Sequence, residues 1–266
     1  MLDDVQAHAD SRGVDLDEVG IDGLQYPVLI ADREGVKRET IATVKMSVAL
    51  ASTIKGAHLS RFVEIFHASR DQLSLVTVLS IADDLRRSMS SLSARVHLEF
   101  PYLVEKQAPV TRLRAYVAYQ CAIEAESSAT TPRLALRVQV PVTSVCPCSK
   151  AISDRGAHNQ RGNITVYIEP TPPATDLWFD ELIELAEEAA SQPVYALLKR
   201  PDERHITMAA YDNPVFVEDM VRNVCVALNS WTNLIAYRVQ AVNDESIHNH
   251  AAYAVTSRNM TSTGAS

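Results

Sequence analysis

Two cysteines and one histidine lie close together near the middle of the chain. Residues 145–150 read Val-Cys-Pro-Cys-Ser-Lys, and residues 156–161 read Gly-Ala-His-Asn-Gln-Arg. Cys146 and His158 are twelve positions apart, so a loop that folds back can bring a sulfur and a nitrogen to one metal ion at roughly 2.0 to 2.3 Å each. The other interpretation is two small buried cysteines and a surface histidine, because Cys-x-Cys without a second cysteine pair is a weak zinc motif.

A second group of imidazoles lies near the end of the chain, where residues 245–250 read Glu-Ser-Ile-His-Asn-His. In an extended segment, His248 and His250 point to the same side. Both imidazoles would then lie on the same face of the segment. The simpler interpretation is a polar hairpin turn.

Two charged segments are further candidates. Residues 55–62 read Lys-Gly-Ala-His-Leu-Ser-Arg-Phe at the start of a predicted helix. There Ser60 is expected to cap the helix, and the basic side chains of this segment are placed to meet anions near its N-terminus. Residues 199–205 read Lys-Arg-Pro-Asp-Glu-Arg-His, and they are predicted to form a solvated charged loop.

Glu218 is the remaining candidate. It lies in a helix predicted over 214–228, for which Asn213 is the expected cap and Pro214 the first helical residue. Its carboxylate is predicted at the edge of the buried face. Such a carboxylate is either a solvated flank residue or an anchor for the N–H groups of a ligand.

The apolar patterns predict the elements that position these residues. Alternation at period two predicts strands, and apolar residues at helical spacing predict helices. The order strand, strand, helix, helix, strand, strand occurs twice, over 27–31, 40–50, 60–68, 72–89, 92–100 and 112–123, and then over 132–143, 163–168, 176–190, 214–228, 233–242 and 251–255. This order indicates an α+β fold with antiparallel sheets and helices on one face.

The chain divides into two similar halves between polar ends. We expect a flexible tail over 1–20, a first module over 21–128, a second module over 129–256 and a flexible tail over 257–266. The polar stretch 124–132 ends in proline and is typical of a linker or a long turn.

Composition excludes several classes of protein. The 266 residues carry 25 Lys and Arg against 33 Asp and Glu, a net charge of −8, which argues against nucleic acid as the main partner.

The apolar runs are too short for a membrane span of about 20 residues, and the acidic N-terminus does not resemble a secretory signal. Four cysteines are too few for a disulfide framework, so we expect a reducing cytoplasm. Neither a P-loop nor a dinucleotide-binding glycine motif is present.

Taken together, the motifs resemble the type IB GTP cyclohydrolase family over residues 21–256. Joint occurrence in this order is far more specific than any single motif. In chain order they are Lys55-Gly-x-His-x-Ser-Arg-Phe, Cys146-Pro-Cys-Ser-Lys with Gly-Ala-His158-Asn-Gln-Arg, Arg-Pro-Asp-Glu203, Asn-Pro-x-Phe-Val-Glu218-Asp and Glu245-Ser-Ile-His-Asn-His.

The resemblance implies a tunnelling fold, a tandem of two ββααββ modules that assembles with further subunits into barrels. It implies a homo-oligomer, for which a tetramer is our first expectation, with active sites at subunit interfaces. The implied reaction opens the guanine imidazole ring of GTP at C8, releases formate and gives 7,8-dihydroneopterin triphosphate. This is the first step of folate biosynthesis.

Motif positions also imply residue roles. A divalent metal, Zn, Mn or Fe, is expected at Cys146, His158 and Glu203, with His248 beside it. Glu218 is expected to anchor the purine by accepting two N–H groups, and His248 to move protons. Cys146, His248 and Glu218 are therefore the predicted catalytic residues.

Cations are expected to bind the triphosphate locally despite the negative net charge. The candidates are Lys55, His58, Arg61, Lys150 and Arg161.

Met208 departs from the family pattern, which has glutamate at this position.

Two rival functions also remain open. One is a tunnelling-fold nitrile reductase that uses NADPH and a cysteine nucleophile. The other is a noncatalytic purine-binding module that keeps the pocket without turnover.

Overall fold

The structure is a computed structural model that describes residues 6, 8–172, 174 and 177–260. The strands are β1 (Leu16–Ala31), β2 (Lys37–Leu50), β3 (Ser93–Gln107), β4 (Arg114–Ser128), β5 (Arg133–Val145), β6 (Asn159–Pro170), β7 (Gln192–Pro193), β8 (Leu234–Asp244) and β9 (Ala251–Asn259). The helices are α1 (Leu59–Ser69), α2 (Leu75–Ser88), α3 (Pro147–Ile152), α4 (Phe179–Glu188), α5 (Arg200–Asp212) and α6 (Val217–Leu228), with a short 3-10 helix at Arg70–Gln72.

The strands follow the order β1-β2-β3-β4-β5-β6-β8-β9, and β7 pairs with β5. The pairings β1–β2, β2–β3, β6–β8 and β8–β9 are antiparallel. The predicted α+β class with antiparallel strands and helices on one face is therefore confirmed.

The chain forms two compact units. Unit 1 comprises residues 1–101, 122–136 and 172–176, and unit 2 comprises residues 102–121, 137–171 and 177–266. The predicted boundary at residue 128 coincides with the end of β4. The division into two ββααββ modules stays a prediction.

In unit 1, helices α1 and α2 pack against each other and bury apolar side chains. Phe62 and Phe66 of α1 and Ile81 and Leu85 of α2 are fully buried. Strand β2 supplies the alternating inward face predicted from the sequence, with Ala42, Val44, Met46, Val48 and Leu50 buried. Burial of a Val, Leu or Met side chain of this kind contributes roughly 1.5–3 kcal/mol.

In unit 2, helices α4 and α6 pack on the sheet, since α6 contacts β8 and β9 and α4 contacts β6. Ile164, Val166 and Ile168 of β6 are fully buried, as the alternation predicted. Met220, Val224 and Leu228 form the matching buried stripe of α6. This packing fixes β6, β8 and α6, whose ends adjoin the candidate site.

The predicted loop over 199–205 is wrong, because most of this segment opens α5. Pro201 is favourable in a first helical turn, where its missing N–H costs nothing. The Asp202 carboxylate accepts the backbone N–H of Lys199 at 3.0 Å, which satisfies a helix-end donor. Pro201 and the Asp202 capping bond therefore favour a helix here, despite the charged composition that predicted a loop.

Two predicted helix caps are also wrong. Helix α6 begins at Val217 rather than residue 214, and the Phe216 N–H donates to Asp219 Oδ2 at 3.1 Å. Asn213 instead ends α5, where its N–H donates to the carbonyl of Ala209 at 3.1 Å. Ser60 does not cap α1, because that helix begins at Leu59.

Strands extend into both segments predicted as tails. Strand β1 begins at Leu16, which pairs with Leu50, and Ala9 bridges Ile54. Strand β9 extends to Asn259. Backbone pairing requires no apolar side chain, so polar sequence did not predict these ends. Residues 1–5, 7 and 261–266 lie outside the described residues.

Candidate active site

A cavity of about 320 Å³ in unit 2 gathers much of the predicted chemistry. It lies where the ends of β5 and β8 meet the starts of β6, α3 and α6. Its lining includes three predicted site groups from separate parts of the chain, the thiol of Cys146, the imidazoles of His158 and His248, and the carboxylate of Glu218. Cys148, Glu245 and His250 line the same cavity.

The loop between β5 and β6 folds back as the spacing of Cys146 and His158 predicted. The Cys146 N–H donates to the His158 carbonyl at 3.1 Å, and the His158 N–H donates to Ser149 Oγ at 2.8 Å. The Ser149 N–H in turn donates to Cys146 Sγ at 3.4 Å. These three bonds hold the thiol and the imidazole on one wall of the cavity.

Cys121 and Cys225 lie outside the cavity lining. All four cysteines are free, and Cys121 is buried in β4. Burial raises the pKa of the Cys121 thiol and also that of Cys225. Since the thiolate is the nucleophile and the metal ligand, these two cysteines are poor candidates for site chemistry.

His248 and His250 lie in the turn between β8 and β9. Their rings stack with centroids 5.1 Å apart and an interplanar angle of 13°. Both therefore face the cavity from one side, as predicted, although the segment is a turn rather than an extended strand.

Glu218 is exposed at the second position of α6. Val217 and Met220 beside it are buried, and a step of about 100° per residue turns Glu218 away from that stripe. Its carboxylate thus lines the cavity, at the edge of the buried face where the sequence placed it.

Sequence reasoning missed Glu245 as a member of the cavity. Its Oε2 lies 3.9 Å from His158 Nδ1, and its side chain is mostly buried. The available signal was its place in the Glu-Ser-Ile-His segment, three positions before His248.

Asn243 was missed as well. Its Oδ1 is buried and has no hydrogen-bond partner among the described residues. Gly162 pairs with it across β6 and β8, and a Cβ on Gly162 would lie 2.0 Å from that oxygen. Only glycine permits this close approach.

Glu203 does not line the cavity among the described residues. It lies exposed on α5, because the preceding Asp202 faces inward and is fully buried. Asp202 accepts the N–H groups of Val110 and Thr111, each at 2.9 Å. Burial by itself would raise the pKa of Asp202, but these bonds and that from Lys199 lower it. Met208 is also exposed on α5.

The predicted phosphate-binding cations occupy several places. In unit 2, Lys150 Nζ donates to the Tyr211 carbonyl at 2.5 Å and lies 4.3 Å from the centre of the Tyr211 ring, while Arg161 is exposed on β6. In unit 1, Arg61 donates to the Ser88 carbonyl at 3.3 Å. Lys55 lines a separate cavity of about 270 Å³, and His58 precedes α1.

The cavity has the donor types of a metal site without an assembled cluster. Within the described ranges, no three His, Cys, Asp or Glu side chains lie close enough together to hold a metal ion. A thiol and imidazoles nevertheless suit Zn²⁺ and related ions. The unpartnered Asn243 oxygen is an acceptor that a metal-bound water or a ligand N–H would satisfy. The residues therefore fit a divalent metal.

The strand order and the flanking helices define a tunnelling-fold protein. The structure is similar to that of uricase from Arthrobacter globiformis, with a TM-score of 0.54 and 8% identity over 94% of this chain and 96% of that chain. A hyper-thermostable AgUricase mutant gives a TM-score of 0.53 at 9% identity over 94% of both chains. At such identities the likeness shows the fold alone, and it confirms the predicted tunnelling fold.

The particular family is shown by sequence. The family described as type I GTP cyclohydrolase folE2 matches residues 2–254. GTP cyclohydrolase FolE2 of Methylococcus capsulatus is 44% identical over 97% of this chain and 95% of its own length. The enzyme of the same name from Pseudothermotoga lettingae is 42% identical over 95% of this chain and 97% of its own. The chain belongs to the type I GTP cyclohydrolase FolE2 family, which confirms the resemblance.

In the described part of the chain, no helix is long and apolar enough to cross a membrane.

Proposed function

We propose that this chain is a GTP cyclohydrolase of type IB, a hydrolase that opens the imidazole ring of GTP at C8 and releases formate. The product is 7,8-dihydroneopterin triphosphate, at the start of folate biosynthesis. The observation that carries the proposal is the single cavity lined by Cys146, His158, Glu218 and His248. Family membership over nearly the whole chain supports the same reaction.

A divalent metal, Zn, Mn or Fe, would supply Lewis acidity and acidify a bound water when present. Cys146 and His158 would hold it, because one loop fixes both donors. His248 would stand beside them from the opposite turn. Ring opening and formate release both require proton movement, a role in which an imidazole serves as general acid or base.

Glu218 would orient the substrate. A carboxylate accepts two N–H groups at once, as the N1 and exocyclic amine of guanine present them. Adenine offers a different pattern and would leave the carboxylate unpaired. The exposed place of Glu218 at the cavity edge leaves its oxygens open to a base.

The triphosphate would lie against cations outside the cavity lining. We propose Lys55, His58, Arg61, Lys150 and Arg161 for this role, since phosphate oxygens favour Lys and Arg. Lys150 would first exchange its bond to the Tyr211 carbonyl for one to phosphate.

The working form would be a homo-oligomer, a tetramer, with active sites at subunit interfaces. Strands β1 and β9 end the strand order, and the ends of a sheet are where a strand of another subunit would pair. Glu203, exposed on α5 and away from the cavity of its own chain, would complete the metal site of a neighbouring subunit. Light scattering should then give four times the 29.3 kDa chain mass.

Subunit mixing tests the placement of Glu203. Glu203→Ala and Cys146→Ala should each be inactive alone. If the two residues serve one site from different subunits, unfolding and refolding a mixture of the variants should restore part of the activity. A mixture as inactive as its components would place both residues in one chain.

The function itself is tested by product. Purified protein with GTP and metal should give a pterin triphosphate, seen by fluorescence after mild oxidation. Binding of GTP without product would favour the noncatalytic module. Oxidation of NADPH with a deazapurine nitrile would favour the reductase, in which a cysteine is the nucleophile.

The four free cysteines fit a cytoplasmic location.

A further inference from the structure

A chain of side-chain hydrogen bonds extends from His158 along the wall of the cavity. His158 Nδ1 lies 3.1 Å from Gln160 Oε1, and Gln160 Nε2 donates to Ser144 Oγ at 3.4 Å. Ser144 Oγ donates to the Val215 carbonyl at 2.9 Å. Gln160 is 8% exposed and Ser144 is fully buried, so these two side chains depend largely on protein partners for their hydrogen bonds.

The far end of this chain fixes the direction of every bond. The Val215 carbonyl only accepts, so the Ser144 hydroxyl must donate its proton there. The hydroxyl oxygen then accepts the amide N–H of Gln160, which turns the amide oxygen toward His158. An amide oxygen only accepts, so a neutral His158 must carry its proton on Nδ1. Glu245 Oε2 lies 3.9 Å from the same nitrogen.

We infer that Gln160, held by Ser144, is a positioning residue that fixes His158 as the Nδ1–H tautomer and presents Nε2 to a metal. This inference deepens the proposed function and rests on it for the identity of the ligand. Partners of this kind orient metal-binding imidazoles and raise their basicity. The chain also reaches the segment just before α6, so one network supports both His158 and the start of the helix that bears Glu218.

Gln160→Met tests the inference, because methionine keeps the length of the side chain but offers no amide oxygen. Histidines labelled with ¹⁵N report the tautomer by solid-state NMR of the sedimented, metal-free protein, at about pH 8 where an ordinary imidazole is neutral. The His158 signals are assigned by their loss in His158→Gln. We expect Nδ1–H in the wild type and mainly Nε2–H in Gln160→Met. Zinc affinity should fall by roughly 10- to 100-fold.

Gln160→Glu is the matched control, because its carboxylate retains an acceptor at the same position. It should keep the Nδ1–H tautomer and bind zinc more tightly than Gln160→Met. A wild-type protein with Nε2–H, or a Gln160→Met variant with unchanged tautomer and zinc affinity, would overturn the inference. The wild-type measurement decides even if Gln160→Met fails to fold. Since the tautomer is read without metal or GTP, a failure of the cyclohydrolase proposal is seen separately.

Discussion

The two cysteines of the cavity differ in how the backbone holds them. Cys146 caps α3 and is tied to His158 through its backbone N–H, whereas Cys148 lies exposed in the first turn of α3. We predict that Cys146→Ala lowers turnover by at least about 10³-fold and removes most bound metal, since a thiolate is among the strongest ligands available to the site. Cys148→Ala is the matched control and should retain both properties. Metal analysis and formate assays check this, and equal losses in both variants would contradict the assignment.

Glu218 separates recognition of the base from binding of the metal. Hydrogen bonds to a charged group contribute about 1.5–3 kcal/mol each, so Glu218→Ala should weaken GTP binding by about 100-fold or more. Metal content should stay unchanged, because Glu218 is not one of the proposed metal ligands. Calorimetric titration of GTP measures the effect.

Glu218→Gln sharpens the test, since it keeps the shape but replaces one acceptor oxygen by a donor. It should bind GTP nearly as poorly as the alanine variant. Normal GTP affinity in either variant would remove the anchor assignment.

At the scale of elements, Asp202 fastens α5 to the turn between β3 and β4. It accepts bonds from Val110, Thr111 and Lys199. Asp202→Asn should lower the thermal unfolding midpoint on the order of 2–8 °C. Glu203→Gln, its exposed neighbour, should have little effect.

The pH dependence of this effect has a definite sign. Because the pKa of Asp202 is lower in the folded protein, its contribution is fully present above about pH 4 and is lost as the pH falls through the folded value. Thermal scans of both proteins across the acid range should show the gap closing. A gap that persists unchanged in acid would contradict this role of the carboxylate.

Local sequence predicted the elements whose packing is apolar. The sequence shows a repeating apolar pattern in strands β2, β6 and β8 and in helices α1, α2, α4 and α6. Burial of the resulting apolar face stabilises each of these elements. Helix α5 was missed because its main buried contact is an acid. Asp202 meets its partner Val110 across 92 positions of sequence, a distance that no local pattern reveals.

The same distinction holds for the candidate site. Cys146 and His158 were predictable, because a short loop joins them and their types are distinctive. Asn243 and Gly162 were not, since their contact depends on the register of β6 with β8. The resemblance to a known family supplied Glu218 and His248, which the residues alone left undecided.

At the scale of the whole molecule, the stability of the fold should also fall on the alkaline side of neutrality. In unit 1, His97 lies 3.5 Å from Glu124 and 3.2 Å from Glu99. The pKa of His97 is raised, chiefly by Glu124 and against the effect of burial. Its stabilising contribution is therefore complete below about pH 6.5 and is lost as the pH rises through the folded value.

His97→Gln should accordingly lower the urea midpoint more at about pH 6 than at about pH 9. His205→Gln, on the exposed side of α5, is the matched control and should show no such difference. An equal loss at both pH values would contradict the ion-pair account.

The most direct test of the central claim is formate release from GTP by the metal-stripped protein, resupplied separately with Mn²⁺, Zn²⁺ and Fe²⁺. The cavity of Cys146, His158, Glu218 and His248 predicts one formate per GTP consumed, restored by at least one of these metals and absent without metal. Full formate release by the stripped protein, or none with any metal while GTP still binds, would contradict it.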